Sequence, residues 1–134
     1  MTLYVDSSAL LKRYVREADS AVSERLLQSD RVLVTSWVTL VEVRRNIARL
    51  LSGPDRADAR RAFGEDLDEF ALVTCDEATA DAASRIAETL GVRSLDAIHL
   101  ASAQRLQIPG LGFLTFDLRQ GQAARSMGFV VLGC

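Results

Sequence analysis

Five short apolar runs alternate with longer segments of helical periodicity, and this alternation constrains the fold more than any other feature. The runs are TLYV (2–5), RVLVT (31–35), FALVT (70–74), LGFLT (111–115) and FVVL (129–132). They are rich in β-branched or aromatic residues and bounded by Asp, Ser, Gly or a charge, as buried strands are. Helical spacing fills roughly 7–16, 20–29, 37–51, 55–69, 77–90, 95–106 and 118–127. Strands that alternate with helices predict a mostly parallel sheet of about five strands covered on both faces, a three-layer α/β/α sandwich. The stretches SGPD (52–55), LGV (90–92) and QIPG (107–110) read as helix stops, and Pro54 suits a new helix start. No repeat, linker or low-complexity tract divides the 134 residues, so the expectation is one domain over 1–134.

Composition narrows the function classes. A formal net charge of −2 argues against binding polyanions by bulk positive charge, so any nucleic-acid contact has to be a local patch. Cys75 and Cys134 form no CxxC pair, and His99 is the only histidine, which argues against a zinc site and for ordinary reduced thiols. The sequence has no apolar run of about 18 residues to span a membrane and no leader-like opening. These points lead to the expectation of a cytoplasmic protein without a membrane role.

The informative residues are acids. Asp6 directly follows TLYV, and Asp117 follows GFLTF, each at the carboxyl end of an expected strand. Sites in open parallel sheets form at that edge. A helix N-cap is the ordinary alternative for either, although Ser7 or Ser8 could cap the first helix and leave Asp6 free. Asp96 lies two residues after Ser94, a good N-cap, so it falls in a first helical turn where the dipole alone favours an acid. Glu42 sits inside SWVTLVEVRRN, among Trp37, Val38, Leu40, Val41 and Val43, which read as core. A carboxylate there must be paired, desolvated or lining a cleft. Arg45, Asn46 and Arg49 share its helix face, so a plain pair with Arg45 or Asn46 is the simple alternative. One explanation covers all four acids. Clustered carboxylates repel unless a cation joins them, and hard oxygen donors without His or Cys point to Mg²⁺ or Mn²⁺, ions that assist water in cleaving phosphodiesters.

In this order and spacing the pieces resemble the PIN-domain ribonucleases, in particular the VapC-type toxins of toxin–antitoxin pairs. YVDSSALLKRY resembles the opening motif, SWVTLVEVRRNI the helix with the family's second acid, LDAIHLASA the third motif and LTFD the fourth. The likeness spans essentially the whole chain. It implies a PIN-like α/β/α fold and a metal-dependent endoribonuclease, a hydrolase of the EC 3.1 class. Asp6, Glu42, Asp96 and Asp117 would be its catalytic and metal-binding residues for Mg²⁺ or Mn²⁺, with Asp6 and Asp96 the most direct ligands. Ser8 and Thr115 would support them, and Arg13, Arg45 and Arg119 would contact substrate phosphates. An RNA substrate, a cognate antitoxin and a homodimer follow from the same resemblance. Some members carry a further acid just past the fourth motif, where this chain has Arg119 and Gln120.

Other residues read as structural. His99, Trp37 and Tyr14 are expected to pack in the core or an interface, and Asp66, Asp68 and Glu69 to face solvent. The chief rival is a receiver-like Mg²⁺-binding regulatory domain using Asp76 after LVTC. It needs a lysine at a late strand end, and Lys12 is the only lysine. A phosphatase with an Asp nucleophile favours a second acid two residues on, where Ser8 stands. A degenerate interaction module leaves four acids without a purpose.

Overall fold

The strand–helix alternation of the sequence is carried through to the tertiary structure. The computed structural model describes residues 2–28 and 32–134. In chain order the described residues form β1 (Thr2–Val5), α1 (Ser7–Leu11), α2 (Ser20–Leu27), β2 (Val32–Ser36), α3 (Trp37–Leu50), α4 (Gly53–Leu67), β3 (Ala71–Val73), α5 (Glu77–Leu90), α6 (Ser94–Gln104), β4 (Gly112–Leu114), α7 (Leu118–Ser126) and β5 (Val130–Leu132). The expected end of the second helix at Ser29 and start of the second strand at Arg31 lie outside the described residues.

All strand pairs are parallel, in the order β3-β2-β1-β4-β5. Chain order runs outward from β1 to β3 on one side and from β4 to β5 on the other. The direction of winding therefore reverses between β1 and β4, and at such a switch point the strand ends leave a crevice. β1 is central, and its side chains alternate between the faces as the pleat requires. Leu3 and Val5 join one core with Leu10, Val43, Ile47 and Phe63 from α1, α3 and α4. Tyr4 joins the opposite core with Leu100, Phe113 and Ala124. Helices α1 to α4 thus cover one face and α5 to α7 the other, which is the expected three-layer sandwich. No helix among the described residues is long and apolar enough to cross a membrane.

Three expectations need correction. The first helix stops at Leu11 and not near residue 16, because the following turn serves side-chain contacts. Lys12 turns inward to Glu17 (2.6 Å) and Asp19 (3.6 Å) and lies 5.2 Å above the Phe116 ring. Secondly, Asp66 is not simply solvated. It accepts a 2.6 Å hydrogen bond from the Tyr14 hydroxyl and pairs with Arg13 at 3.6 Å. Thirdly, of the apolar residues around Glu42 only Val43 is fully buried, while Trp37 and Val41 are 46% and 68% exposed. On α3 the core face is the Thr39–Val43–Ile47 row, spaced at four residues, and Trp37 and Val41 fall outside it.

Phe63 is 1% exposed and meets the Tyr14 ring edge-on at 5.5 Å, so it joins α4 to the turn after α1. Truncation of a buried aromatic removes its transfer free energy and leaves a void. Phe63→Ala is expected to lower the free energy of unfolding by about 3–5 kcal/mol in urea titrations. A loss below about 1 kcal/mol would contradict the packing described.

Candidate active site and metal centre

The site begins where β1 ends. Asp6 is 3% exposed and its backbone N–H continues the ladder to the Leu114 carbonyl at 3.1 Å. Its side chain caps α1 by accepting from the Ala9 amide (3.2 Å), so the capping role expected of Ser7 or Ser8 belongs to Asp6 itself. Ser8 donates to the same carboxylate oxygen at 2.6 Å and lies 3.3 Å from the Thr115 hydroxyl. It also accepts from the Phe116 amide (3.1 Å), which pins the chain leaving β4 against α1. Thr35 helps to fix the strand ends by donating to the Val5 carbonyl at 2.6 Å. Since a hydroxyl carries one proton, Thr39 then donates to Thr35 across 2.7 Å, which ties α3 to the same edge.

Burial pushes the Asp6 carboxyl above the ordinary carboxylate range. His99, the Ser8 and Thr115 hydroxyls and the Ala9 amide pull it only part of the way back. No ion pair to Asp6 occurs among the described residues.

Asp117 stands across the switch point after β4. It caps α7 through the Arg119 and Gln120 amides at 2.9 and 3.1 Å, and its own amide bonds to Thr115 Oγ1 at 3.1 Å. Asp96 occupies the first turn of α6. The N-cap there is Arg93, not Ser94, and Arg93 makes no side-chain cap bond. Burial raises the Asp96 carboxyl above its usual range and the charge of Asp117 pushes the same way, while Arg93 and His99 oppose the shift. The two acids are therefore neighbours electrostatically. Buried Gln120 braces the pair by donating from Nε2 to the Asp96 carbonyl at 3.0 Å.

Glu42 does not pair with Arg45. Its backbone carbonyl accepts from Asn46 at 2.9 Å, and its carboxylate receives His99 Nε2 at 2.6 Å. His99 is 1% exposed, and its Nδ1 lies 2.8 Å from the Tyr4 hydroxyl. Burial, reinforced by the charge of Asp6, drives the Tyr4 hydroxyl far above its ordinary range. A carboxylate can only accept, so Nε2–H donates to Glu42, and in that neutral tautomer Nδ1 accepts from the Tyr4 hydroxyl. The sequence reading of His99 as a packed histidine is right about burial but misses this role. His99 holds a carboxylate of the α1–α4 layer from a helix of the other layer. Its position three residues after Asp96 was the available signal, since that spacing places both on one side of α6.

The expected phosphate contacts divide. Arg119 is exposed and lines a cavity of about 310 Å³ with Arg93 and Asp96. Arg45 is exposed on α3. Arg13 is joined to Asp66 at 3.6 Å. Arg93 reaches both Asp96 (3.4 Å) and Asp117 (3.7 Å).

The PIN-domain family model matches residues 3–126, nearly the whole chain. The chain belongs to the PIN-domain family. Relatives of this PIN domain include the ribonuclease VapC46 of Mycobacterium tuberculosis, 36% identical over 97% of this chain and 95% of the relative. Ribonuclease VapC47 of the same organism is 31% identical over 96% and 93%. Among solved structures, FitAcB of Neisseria gonorrhoeae superposes with a TM-score of 0.76 at 21% identity, covering 98% of this chain and 96% of that one. M. tuberculosis VapC20 gives 0.71 at 20% identity, covering 98% of both. These two likenesses speak for the fold.

PIN-domain ribonucleases are in general metal-dependent. The donors of this PIN domain suit such an ion chemically. Burial raises the Asp6 and Asp96 carboxyls, the charge of Asp117 adds to the second, hydroxyls surround Asp6, and every acid is a hard oxygen donor. As the side chains stand, no three His, Cys, Asp or Glu groups among the described residues are close enough to share a metal ion.

The raised Asp6 carboxyl has a thermodynamic consequence. Its folded pKa lies above its unfolded value, so between the two the native state keeps a proton that the unfolded state has released. Metal-free stability therefore rises as pH falls through the folded value and levels off below the ordinary one. Asp6→Asn keeps a cap acceptor and removes the charge. With chelator, the variant is expected to melt higher than wild type at neutral pH, with the advantage shrinking on acidification. A melting difference that stays flat across pH would contradict this.

Proposed function

We propose that this PIN domain is a metal-dependent endoribonuclease, the toxin of a VapC-type toxin–antitoxin pair, that hydrolyses RNA phosphodiester bonds with Mg²⁺ or Mn²⁺. The observation that carries the reading is the buried carboxylate of Asp6, without an ion pair among the described residues, at the β1–β4 switch point and at the same sheet edge as Asp117. The ribonuclease names of its relatives, at up to 36% identity over nearly the whole chain, agree with it.

Asp6 and Asp96 would hold the ion most directly, with Glu42 and Asp117 acting directly or through water. When bound, the ion supplies positive charge that makes water a stronger nucleophile and offsets charge on the scissile phosphate. Ser8 and Thr115 keep the Asp6 carboxylate in place, and His99 keeps Glu42 turned toward the cleft. Arg119 and Arg45 offer guanidinium groups to substrate phosphates. In-line attack leaves a 5′-phosphate and a 3′-hydroxyl. Solved relatives of this fold include toxin–antitoxin complexes from Klebsiella pneumoniae and Salmonella typhimurium, the latter bound to DNA, and a cognate antitoxin is the corresponding partner here. The protein acts as one domain, as a homodimer, in the cytoplasm.

The receiver-like reading fares worse. Asp76 is committed to capping α5, accepting from the Thr79 amide and hydroxyl at 2.8 Å each, and Lys12 is held by Glu17 and Asp19.

The test is a brief pulse of expression followed by sequencing of RNA 5′ ends. Wild type is expected to produce new 5′-phosphate ends, and Asp96→Asn to produce none while folding normally by circular dichroism. In vitro, chelator is expected to stop cleavage and Mn²⁺ to restore it. Equal cutting by both proteins in the presence of chelator would defeat the proposal.

A further inference from the structure

One arginine stands where the acidic pair wants a cation. Arg93 Nε lies 3.4 Å from Asp96 Oδ2, and its Nη2 lies 3.7 Å from Asp117 Oδ2. A single side chain thus answers the repulsion between two carboxylates, one in the first turn of α6 and one capping α7. The arginine is also lightly held: it is 80% exposed, both contacts are long, and ion pairs in water contribute little. Its side chain has a second neighbourhood. Together with Arg119, Gln122 and Ser126 it lines the cavity of about 310 Å³ that Asp96 also borders. Two guanidinium groups at a cavity beside the acids, with Leu90 and Val92 on its wall, suit a phosphate, which guanidinium binds through paired N–H donors.

We propose that Arg93 is an exchangeable counter-ion. It neutralises Asp96 and Asp117 while no divalent ion is bound. On metal loading it yields the carboxylates and joins Arg119 to hold an RNA phosphate next to the scissile one. This rests on the functional reading above and adds a residue and a subsite to it. The driving force is charge. A guanidinium and a divalent cation compete for the same two carboxylates and repel each other, so Arg93 raises the metal concentration that the site needs. Once displaced, it improves the binding of substrate.

The two halves have opposite signs, and this makes the proposal testable on the full-length chain. Free Mn²⁺ is counted by electron paramagnetic resonance during titration, without RNA. Arg93→Gln is expected to bind Mn²⁺ about three- to tenfold more tightly than wild type. Arg93→Lys, which keeps the charge, is expected to stay close to wild type. Arg85→Gln serves as a control, because Arg85 pairs with Asp81 on α5, and it is expected to change nothing. At saturating Mn²⁺, Arg93→Gln is expected to raise KM for an RNA oligonucleotide several-fold while kcat changes less. Unchanged or weaker Mn²⁺ binding in Arg93→Gln overturns the exchange, and so does an unchanged KM. Absence of Mn²⁺ binding by the wild type would instead mean that the metal reading of the acids is wrong.

Discussion

A carboxylate buried where the central strand ends is the constraint around which the rest of the site is arranged. Moving the charged form of Asp6 out of water is unfavourable, and His99 offsets that only in part. What surrounds it are an amide and hydroxyls, contributed by α1 and the end of β4. These groups stabilise the charge partially and fix its direction. The arrangement is unfavourable for the isolated fold and favourable for a fold that receives a cation, the usual relation between stability and function at a site.

The second organising element is the chain of contacts from Tyr4 through His99 to Glu42. It begins on the central strand, passes through α6 and ends on α3, so it connects the sheet with one helix from each layer. Because both imidazole nitrogens are engaged, the ring cannot rotate freely, and Glu42 inherits that fixity. The same α6 carries Asp96 one turn earlier and is braced by Gln120 from α7. Small displacements of α6 would therefore move a carboxylate, its neighbour's counter-charge and the orientation of Glu42 together.

Caps and candidate site residues coincide here. Asp6 and Asp117 each satisfy orphan amides of the helix that follows. A capping role therefore does not take either acid out of the candidate site. A short strand-to-helix connection places the cap residue at the carboxyl edge of the sheet, where sites of parallel folds form.

Much of this protein was legible in the linear chain. Strand and helix spans follow from local periodicity, and parallel winding follows from their alternation, since both depend on neighbours in sequence. The four acids stood out because each interrupts an expected element or closes one. The rest is long-range. Nothing near Glu42 in sequence indicates that its partner is His99 and not Arg45, because the pairing depends on two helices meeting across the sheet edge. The exposure of Trp37 and Val41, the early end of α1 and the reach of Arg93 to two acids are likewise set by packing geometry. Composition and spacing by themselves determined which elements form and which chemistry the chain carries, since these are properties of residue type and local order. Which charges meet was decided only by the tertiary structure, because electrostatic contact depends on distance through space.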